Sequence, residues 1–385
     1  MEQMTPKDIL ARLVGFDTTS DRSNLPLIDW VEAYLSAHGI AAQRVPSADG
    51  QKASLFAQIG PDVAGGVLLS AHSDVVPVAG QDWSTDPFTL TEQDGKFFGR
   101  GTCDMKGFLT IMLYAAARAS KMALSRPLQL AISYDEELGC LAAPELIAAM
   151  ADLPKAGAAF IGEPSEMRVV SGHKGTIGIA THLIGHEVHS SILDRGVSAV
   201  MEGAKLIDWA NRVNAEGRAA RPSALAAPFD PPYTTAHVGT AHGGTADNIT
   251  AKDMRFNMDM RCVPGESLAD WQERYLRAVR ALEAEMQAVH AGARIDTEVT
   301  FNVPPLVPET NGAAEVLARR LTGDNETHVV SYATEAGQFQ EGGYSAVVCG
   351  PGNIAQAHQP DEFLSVAQFE AGLKFARDLL DGLAA

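Results

Sequence analysis

The chain alternates short apolar runs with amphipathic stretches, which is how a parallel or mixed sheet covered by helices reads. The runs are Gly66-Val67-Leu68-Leu69-Ser70, Leu128-Gln129-Leu130-Ala131-Ile132, Ala158-Ala159-Phe160-Ile161 and Ser345-Ala346-Val347-Val348-Cys349. Each has the length of a buried strand. Ahead of them, Thr5-Pro6 reads as a helix cap with proline in the first turn. A second amphipathic segment runs from about Leu25 to His38, where Gly39 stops it.

Between Thr176 and Asn302 the rhythm changes to strand (Ile177 to Ile184), helix (Val197 to Val213), two strands (His237 to Thr240, Met254 to Arg261), helix (Leu268 to His290) and strand (Ile295 to Phe301). That βαββαβ order predicts a ferredoxin-like antiparallel sheet with two helices on one face. It reads as a domain inserted at 174–302, with 1–173 and 303–385 forming an α/β domain built on a mixed central sheet flanked by helices. The Pro- and Ala-rich stretch from Ala219 to Tyr233 reads as a surface loop. There is no internal repeat at a fixed period.

Length supports the division, because 385 residues exceed what one small core needs. With 46% hydrophobic and 20% charged residues and no low-complexity tract, essentially the whole chain is expected to fold. The net charge of -18 repels a phosphate backbone, and no basic stripe interleaved with aromatics opposes it, so nucleic acid is not an expected partner. No run approaches the roughly 20 apolar residues of a membrane span. The stretch from Met1 to Lys7 lacks a cationic start before an apolar segment, so no secretory signal is expected. Cys103, Cys140, Cys262 and Cys349 are scattered and form no CxxC pair, which disfavours a disulfide scaffold and a thiolate zinc site. A reducing cytoplasm fits, and any metal must be held by His, Asp and Glu.

Such residues follow the strands. His72-Ser73-Asp74 follows the first run, Asp135-Glu136-Glu137 the second and Glu163 the third, and His358 lies a short loop beyond the fourth. Open α/β sheets place their ligand sites just past the carboxyl ends of strands. Any one of these side chains alone would read as a solvated loop charge or a helix cap. Four pointing at one rim strain that reading. Asp104 sits in Gly99-Arg100-Gly101-Thr102-Cys103-Asp104-Met105-Lys106-Gly107, just before a helix from about Phe108. It serves equally as an N-cap, and its place in the set favours ligation.

Two imidazoles and three carboxylates suit a pair of divalent ions such as Zn²⁺, Co²⁺ or Mn²⁺, which need a shared anion to sit close together. Of the neighbours Glu136 and Glu137, one would ligate and one would move protons. Asp74, two residues after His72, lies on the same side of an extended segment and is placed to accept the second imidazole N–H.

The blocks SAHSDVVPV, GRGTCDMKG, YDEELGC, IGEPS, GHEVHSS, GGTADNIT, YATEAGQFQ and CGPGNIAQAHQPDEF resemble, in order and over nearly the whole chain, the di-zinc aminoacylase, carboxypeptidase and deacylase superfamily. GTCDMKG, TEAG and IAQAHQPDEF point to its deacetylase branch. The resemblance implies a zinc-exopeptidase-like catalytic domain, with residues 174–302 as a lid and dimerisation domain. It implies two divalent ions, zinc first and cobalt as the alternative. His72 and Glu163 would bind one ion, Glu137 and His358 the other, and Asp104 would bridge them through a segment with a cis Asp104-Met105 bond. Glu136 would be the general base. His189 would stabilise the oxyanion from the partner subunit of a homodimer, although the Gly185-His186-Glu187-Val188-His189 block departs from the small residues common before that histidine, with His186 the lesser alternative. Asn248 and Arg261 would hold the substrate carboxylate; an arginine at that strand end otherwise reads as a surface ion pair. Glu335 would meet a substrate ammonium or order its own loop. The implied reaction removes acetate from N2-acetyl-L-ornithine, a step of arginine biosynthesis, with N-acetylcitrulline or another N-acyl amino acid as alternatives.

Competing readings are weaker. Gly350-Pro351-Gly352-Asn353-Ile354-Ala355 matches a dinucleotide fingerprint after a strand, but Pro351 has no N–H to donate and Pro360 interrupts the required helix. There is no serine elbow for a hydrolase of that type. A cysteine nucleophile at Cys103 or Cys140 and a metal-free binding protein on the same fold remain, and the intact ligand set argues against the second.

Overall fold

The computed structural model describes residues 4–385, so the first three residues of the stretch read for a secretory signal lie outside it. The first helix, Pro6–Val14, is capped as expected: Asp8 N–H donates to Thr5 Oγ1 (3.2 Å) and Thr5 N–H donates to Asp8 Oδ2 (2.9 Å). The second, Leu25–Ala37, gives way to Gly39 at φ +73°. Among the described residues no helix is long and apolar enough to cross a membrane.

The chain divides into two compact units. The first comprises the chain up to Gly172, Pro308–His328 and Thr334–Ala385. Its frame is an eight-stranded mixed sheet in the order Ala42–Pro46, Ala53–Ile59, Leu128–Ser133, Val67–His72, Ala158–Pro164, Ala346–Gly350, Val170–His173, His328–Val330. The four expected strands are its parallel centre. All their residues are buried, as strands covered on both faces must be. Helices Lys106–Ala119 and Val366–Leu383 share one apolar cluster with the first two helices, through Leu109, Met112, Phe375 and Leu379. A small sheet pairs Lys96–Phe98 with both Thr91–Gln93 and the distant Phe363–Ser365.

The second unit comprises His173–Val307 and Val329–Ala333. Its antiparallel sheet, in the order Thr235–Gly243, Asp253–Cys262, Gly175–Ile184, Arg294–Val303, carries helices Ala199–Ala219 and Leu268–Val289 in the expected βαββαβ order. Met254, Phe256, Met258, Met260 and Cys262 are buried while the residues between them face outward, the period-two pattern of a sheet covered on one side. Ser198 and Ser267 cap the two helices. The segment after Ala219 is not surface throughout. Ala226 and Phe229 are buried, because the chain folds back and Lys174 Nζ donates to the carbonyls of Pro231 (2.7 Å) and Tyr233 (3.1 Å).

Candidate metal centre

His72 is the last residue of its strand and lies level with Ser133 on the neighbouring one, so the Asp135-Glu136-Glu137 turn starts beside it. Glu163 is next to last in Ala158–Pro164, and His358 follows Ala346–Gly350 after the short turn Ile354–Gln356. Because these strands are buried along their length, a polar side chain finds room at their carboxyl ends.

Asp104 arrives from outside the sheet. Gly101 turns the chain at φ +84°, where a Cβ would come within 2.9 Å of Val75 Cγ1, and the Asp104-Met105 bond is cis. The helix N-cap is Met105, so Asp104 does not cap it. Its backbone N–H and that of Cys103 donate instead to Glu362 Oε1 (3.0 and 2.9 Å).

Asp104 turns one oxygen to each histidine. Oδ1 lies 3.0 Å from His72 Nε2 and Oδ2 lies 3.2 Å from His358 Nε2. Glu163 Oε1 is 3.7 Å from His72 Nε2, and Glu137 Oε2 is 3.1 Å from His358 Nε2. Two groups result, His72-Asp104-Glu163 and Asp104-Glu137-His358, with candidate ligand atoms in each within 4.8 Å of one another. Donors 2.0–2.2 Å from a common tetrahedral ion stand roughly 3–4 Å apart, so each group fits one ion. Glu137 Oε1 and Glu163 Oε1 are buried without a hydrogen-bond partner. Carboxylate oxygens left bare in this way call for a cation.

The electrostatics agree. Burial pushes Glu163 well above the usual carboxylate range and the Asp104 charge adds to it; the same causes bring Glu137 to about 7. Burial opposes charge on His72, yet Asp104 and Asp74 outweigh it and hold the imidazole well above its ordinary value. His358 is raised to about 10 by Asp104 and Glu137. The site is thus short of positive charge.

Asp74 presents two acceptors to His72 Nδ1. The nearest acceptor to His72 Nδ1 is the Asp74 backbone carbonyl at 3.0 Å, with the carboxylate at 3.5 Å. An N–H there still leaves Nε2 free as a ligand atom. The carboxylate takes hydrogen bonds from Ser20 Oγ (2.8 Å) and from the backbone N–H groups of Glu136 (3.2 Å) and Glu137 (3.3 Å). It therefore fixes the turn that carries the paired glutamates. Glu136 sits outside both ligand groups, and the Cys140 thiol donates to its Oε1 at 3.3 Å. Burial first, then the charges of Glu137 and Asp104, pushes Glu136 well above the usual range against the pull of His72. Glu335 is buried, with Ser70 Oγ 3.5 Å from its Oε2 and its Oε1 unpaired. Burial brings it to about 7.

The remaining site candidates belong to the second unit. His189 is exposed, with Nδ1 2.7 Å from Ser191 Oγ. Ser190 N–H donates to the Asn248 carbonyl (2.8 Å) and His189 bridges to Ile249, so His189 and Asn248 are neighbours. Within the departing 185–189 block, the backbone N–H groups of Gly185, His186 and Val188 donate to the carbonyls of Lys252 and Val197 and to Thr250 Oγ1. His186 stacks on His290 with ring centroids 3.8 Å apart. Arg261 Nε donates to Asp259 Oδ2 (3.0 Å), the ion pair raised as its alternative. Cys103, Cys140, Cys262 and Cys349 are all buried free thiols, and burial pushes Cys103 and Cys140 up, against the needs of a nucleophile.

Glu362, Arg100 and Gln81 surround the backbone of Asp104 and His358, and no motif in the sequence announces them. Their only sequence signal is position: Arg100 inside the glycine-rich block and Glu362 four residues after His358.

The sequence profile of Peptidase family M20/M25/M40 matches residues 68–382. An acetylornithine deacetylase of Myxococcus xanthus is 34% identical over 369 residues, covering 93% of this chain and 92% of that one. One of Yersinia pestis is 35% identical over 372 residues, covering 95% and 92%. The crystal structure of an M20 family metallo-carboxypeptidase from Sulfolobus solfataricus superposes with a TM-score of 0.77 at 18% identity, covering 98% of this chain and 99% of that one.

Proposed function

The chain belongs to peptidase family M20/M25/M40 and is a metal-dependent hydrolase, and from that premise we propose that it deacylates N-acyl amino acids, N2-acetyl-L-ornithine first among them. The products would be acetate and L-ornithine, a step of arginine biosynthesis. The observation that carries the reading is the pair of ligand groups meeting at Asp104, with Glu136 beside them and outside both.

His72 and Glu163 would hold one divalent ion, Glu137 and His358 the other, and Asp104 both; zinc or cobalt suits this set of nitrogen and oxygen donors. When bound, such ions polarise a carbonyl and make water a better nucleophile. Glu136 takes the proton of the attacking water and returns it to the leaving nitrogen, a role open to it because it belongs to neither ligand group. Asp74 keeps Glu136 and Glu137 apart in their roles by pinning the backbone of both.

Glu335 is assigned to a substrate ammonium. Its Oε1 and the Oε1 of Gln338, one helical turn on, are buried acceptors without a donor, and an ammonium offers three. Asn248 and Arg261 are assigned to the substrate carboxylate; a guanidinium held through Nε by Asp259 keeps its terminal nitrogens for a second partner. The test is a kinetic panel of N-acetyl amino acids with the metal-loaded enzyme. N-acetylornithine should exceed N-acetylcitrulline, which has no ammonium, by roughly tenfold or more in kcat/KM, and Glu335→Gln should close the gap. Equal rates on the two substrates in the unaltered enzyme would overturn the assignment.

A cytoplasmic homodimer completes the proposal, with His189 of each chain stabilising the oxyanion in the other. Mixing inactive Glu136→Ala and His189→Ala chains under subunit exchange should restore activity, since one site in each mixed dimer is then complete. No recovery, with exchange confirmed by differential tagging, would remove His189 from the partner's site.

A further inference from the structure

We propose that Arg100, acting through Glu362 and Gln81, is the positioning residue that holds the bridging Asp104 and the loop ligand His358 in their mutual placement. The inference rests on the two-ion reading above.

Arg100 is fully buried. Its Nη1 donates to Glu362 Oε2 (2.6 Å) and its Nη2 to Gln81 Oε1 (2.5 Å), while its guanidinium lies 5.1 Å from the Trp83 ring centroid. Each partner reaches one end of the metal centre. Glu362 uses its other oxygen for the backbone N–H groups of Cys103 and Asp104. Gln81 uses its Nε2 to donate to the His358 carbonyl (2.8 Å). One planar cation thus ties the backbone of the shared ligand to the backbone of the most distant one. A buried ion pair is weak evidence for stability, since apolar side chains fill such space as well. A fork with two fixed donor directions supplies geometry that apolar packing does not.

His358 is the ligand that needs this. Its side chain is 48% exposed, whereas those of His72, Asp104, Glu137 and Glu163 are at most 7% exposed. It lies in a loop at φ +63°, a left-handed conformation unfavourable for a residue with a Cβ. Ser84, through its N–H and Oγ, donates to Asp361 Oδ1 and pins the same loop.

The decisive variant is Gln81→Glu, which keeps the acceptor for Arg100 and replaces the donor facing the His358 carbonyl by an oxygen. Metal-free protein is titrated calorimetrically with Zn²⁺ or Co²⁺, and thermal unfolding of the same samples is followed. One of the two binding steps should weaken about ten- to a hundredfold, the other should stay as in the unaltered protein, and the unfolding temperature should hold. Arg100→Lys, which keeps a charge but cannot span both partners, should weaken both steps, because it loosens Asp104, which belongs to both ligand groups, as well as His358. Two unchanged binding steps in Gln81→Glu would overturn the inference and leave the two-ion reading standing. Equal weakening of both steps in Gln81→Glu, with a lowered unfolding temperature, would overturn it too, by showing a merely structural role. An unaltered protein that takes up no ion would overturn the two-ion reading itself and the inference with it.

Discussion

Replacing Glu136 by glutamine is expected to lower kcat about a thousandfold or more while both ions stay bound and KM changes little. Glutamine keeps the shape of the side chain and the contact with the Cys140 thiol, but it cannot take up a proton. Glu136 lies outside both ligand groups, so the ions should not register the change. Its neighbour behaves in the opposite way. Glu137 Oε2 is 3.1 Å from His358 Nε2 and its other oxygen is bare, so Glu137→Ala should empty one position, and activity falls because metal is lost. Steady-state kinetics and elemental analysis on both variants separate the roles. Equal metal loss in the two would show the pair to be assigned the wrong way round.

The contrast between these neighbours shows how far the chain can be read without coordinates. The strands ending in His72, in the Asp135-Glu136-Glu137 turn and in Glu163 were legible because a fully buried parallel strand is an unbroken apolar run, and a polar residue directly after it has one place to go. The strand Asp253–Cys262 is legible for a related reason, since it alternates cleanly with one covered face. Ala42–Pro46 and Ala53–Ile59 carry no such signal. The first is half-exposed at the sheet edge with a mixed polar composition, and its pairing partner is specified by the turn between them and not by its own pattern.

Side-chain roles were harder than side-chain places. Asp74 was placed beside His72, where it lies, but the acceptor nearest the imidazole is its backbone carbonyl, and sequence patterns say nothing about which oxygen of a residue is used. The Arg100–Glu362 pair was invisible because charged residues are ordinarily solvated, so their spacing of 262 positions carries no hint of a shared burial. Phe363–Ser365, which follows Glu362, pairs with Lys96–Phe98, which precedes Arg100, and that local sheet is what brings the two together.

Removing Asp104 should have the largest effect of any single change. Asp104→Ala takes a ligand from both groups at once, and with it the shared anion that lets two cations lie close together. Neither ion should then bind at stoichiometric concentration, and hydrolysis should fall to background. Burial, the main cause that raises the glutamates left behind, is unaffected by the change and favours their protonated form, so the fold should persist. Elemental analysis of reconstituted, exhaustively dialysed protein tests the account most directly. The unaltered chain should retain about two transition-metal ions and Asp104→Ala fewer than one. An unaltered chain that retains none, or an Asp104→Ala chain that retains both, would contradict the shared-aspartate centre from which the whole reading is built.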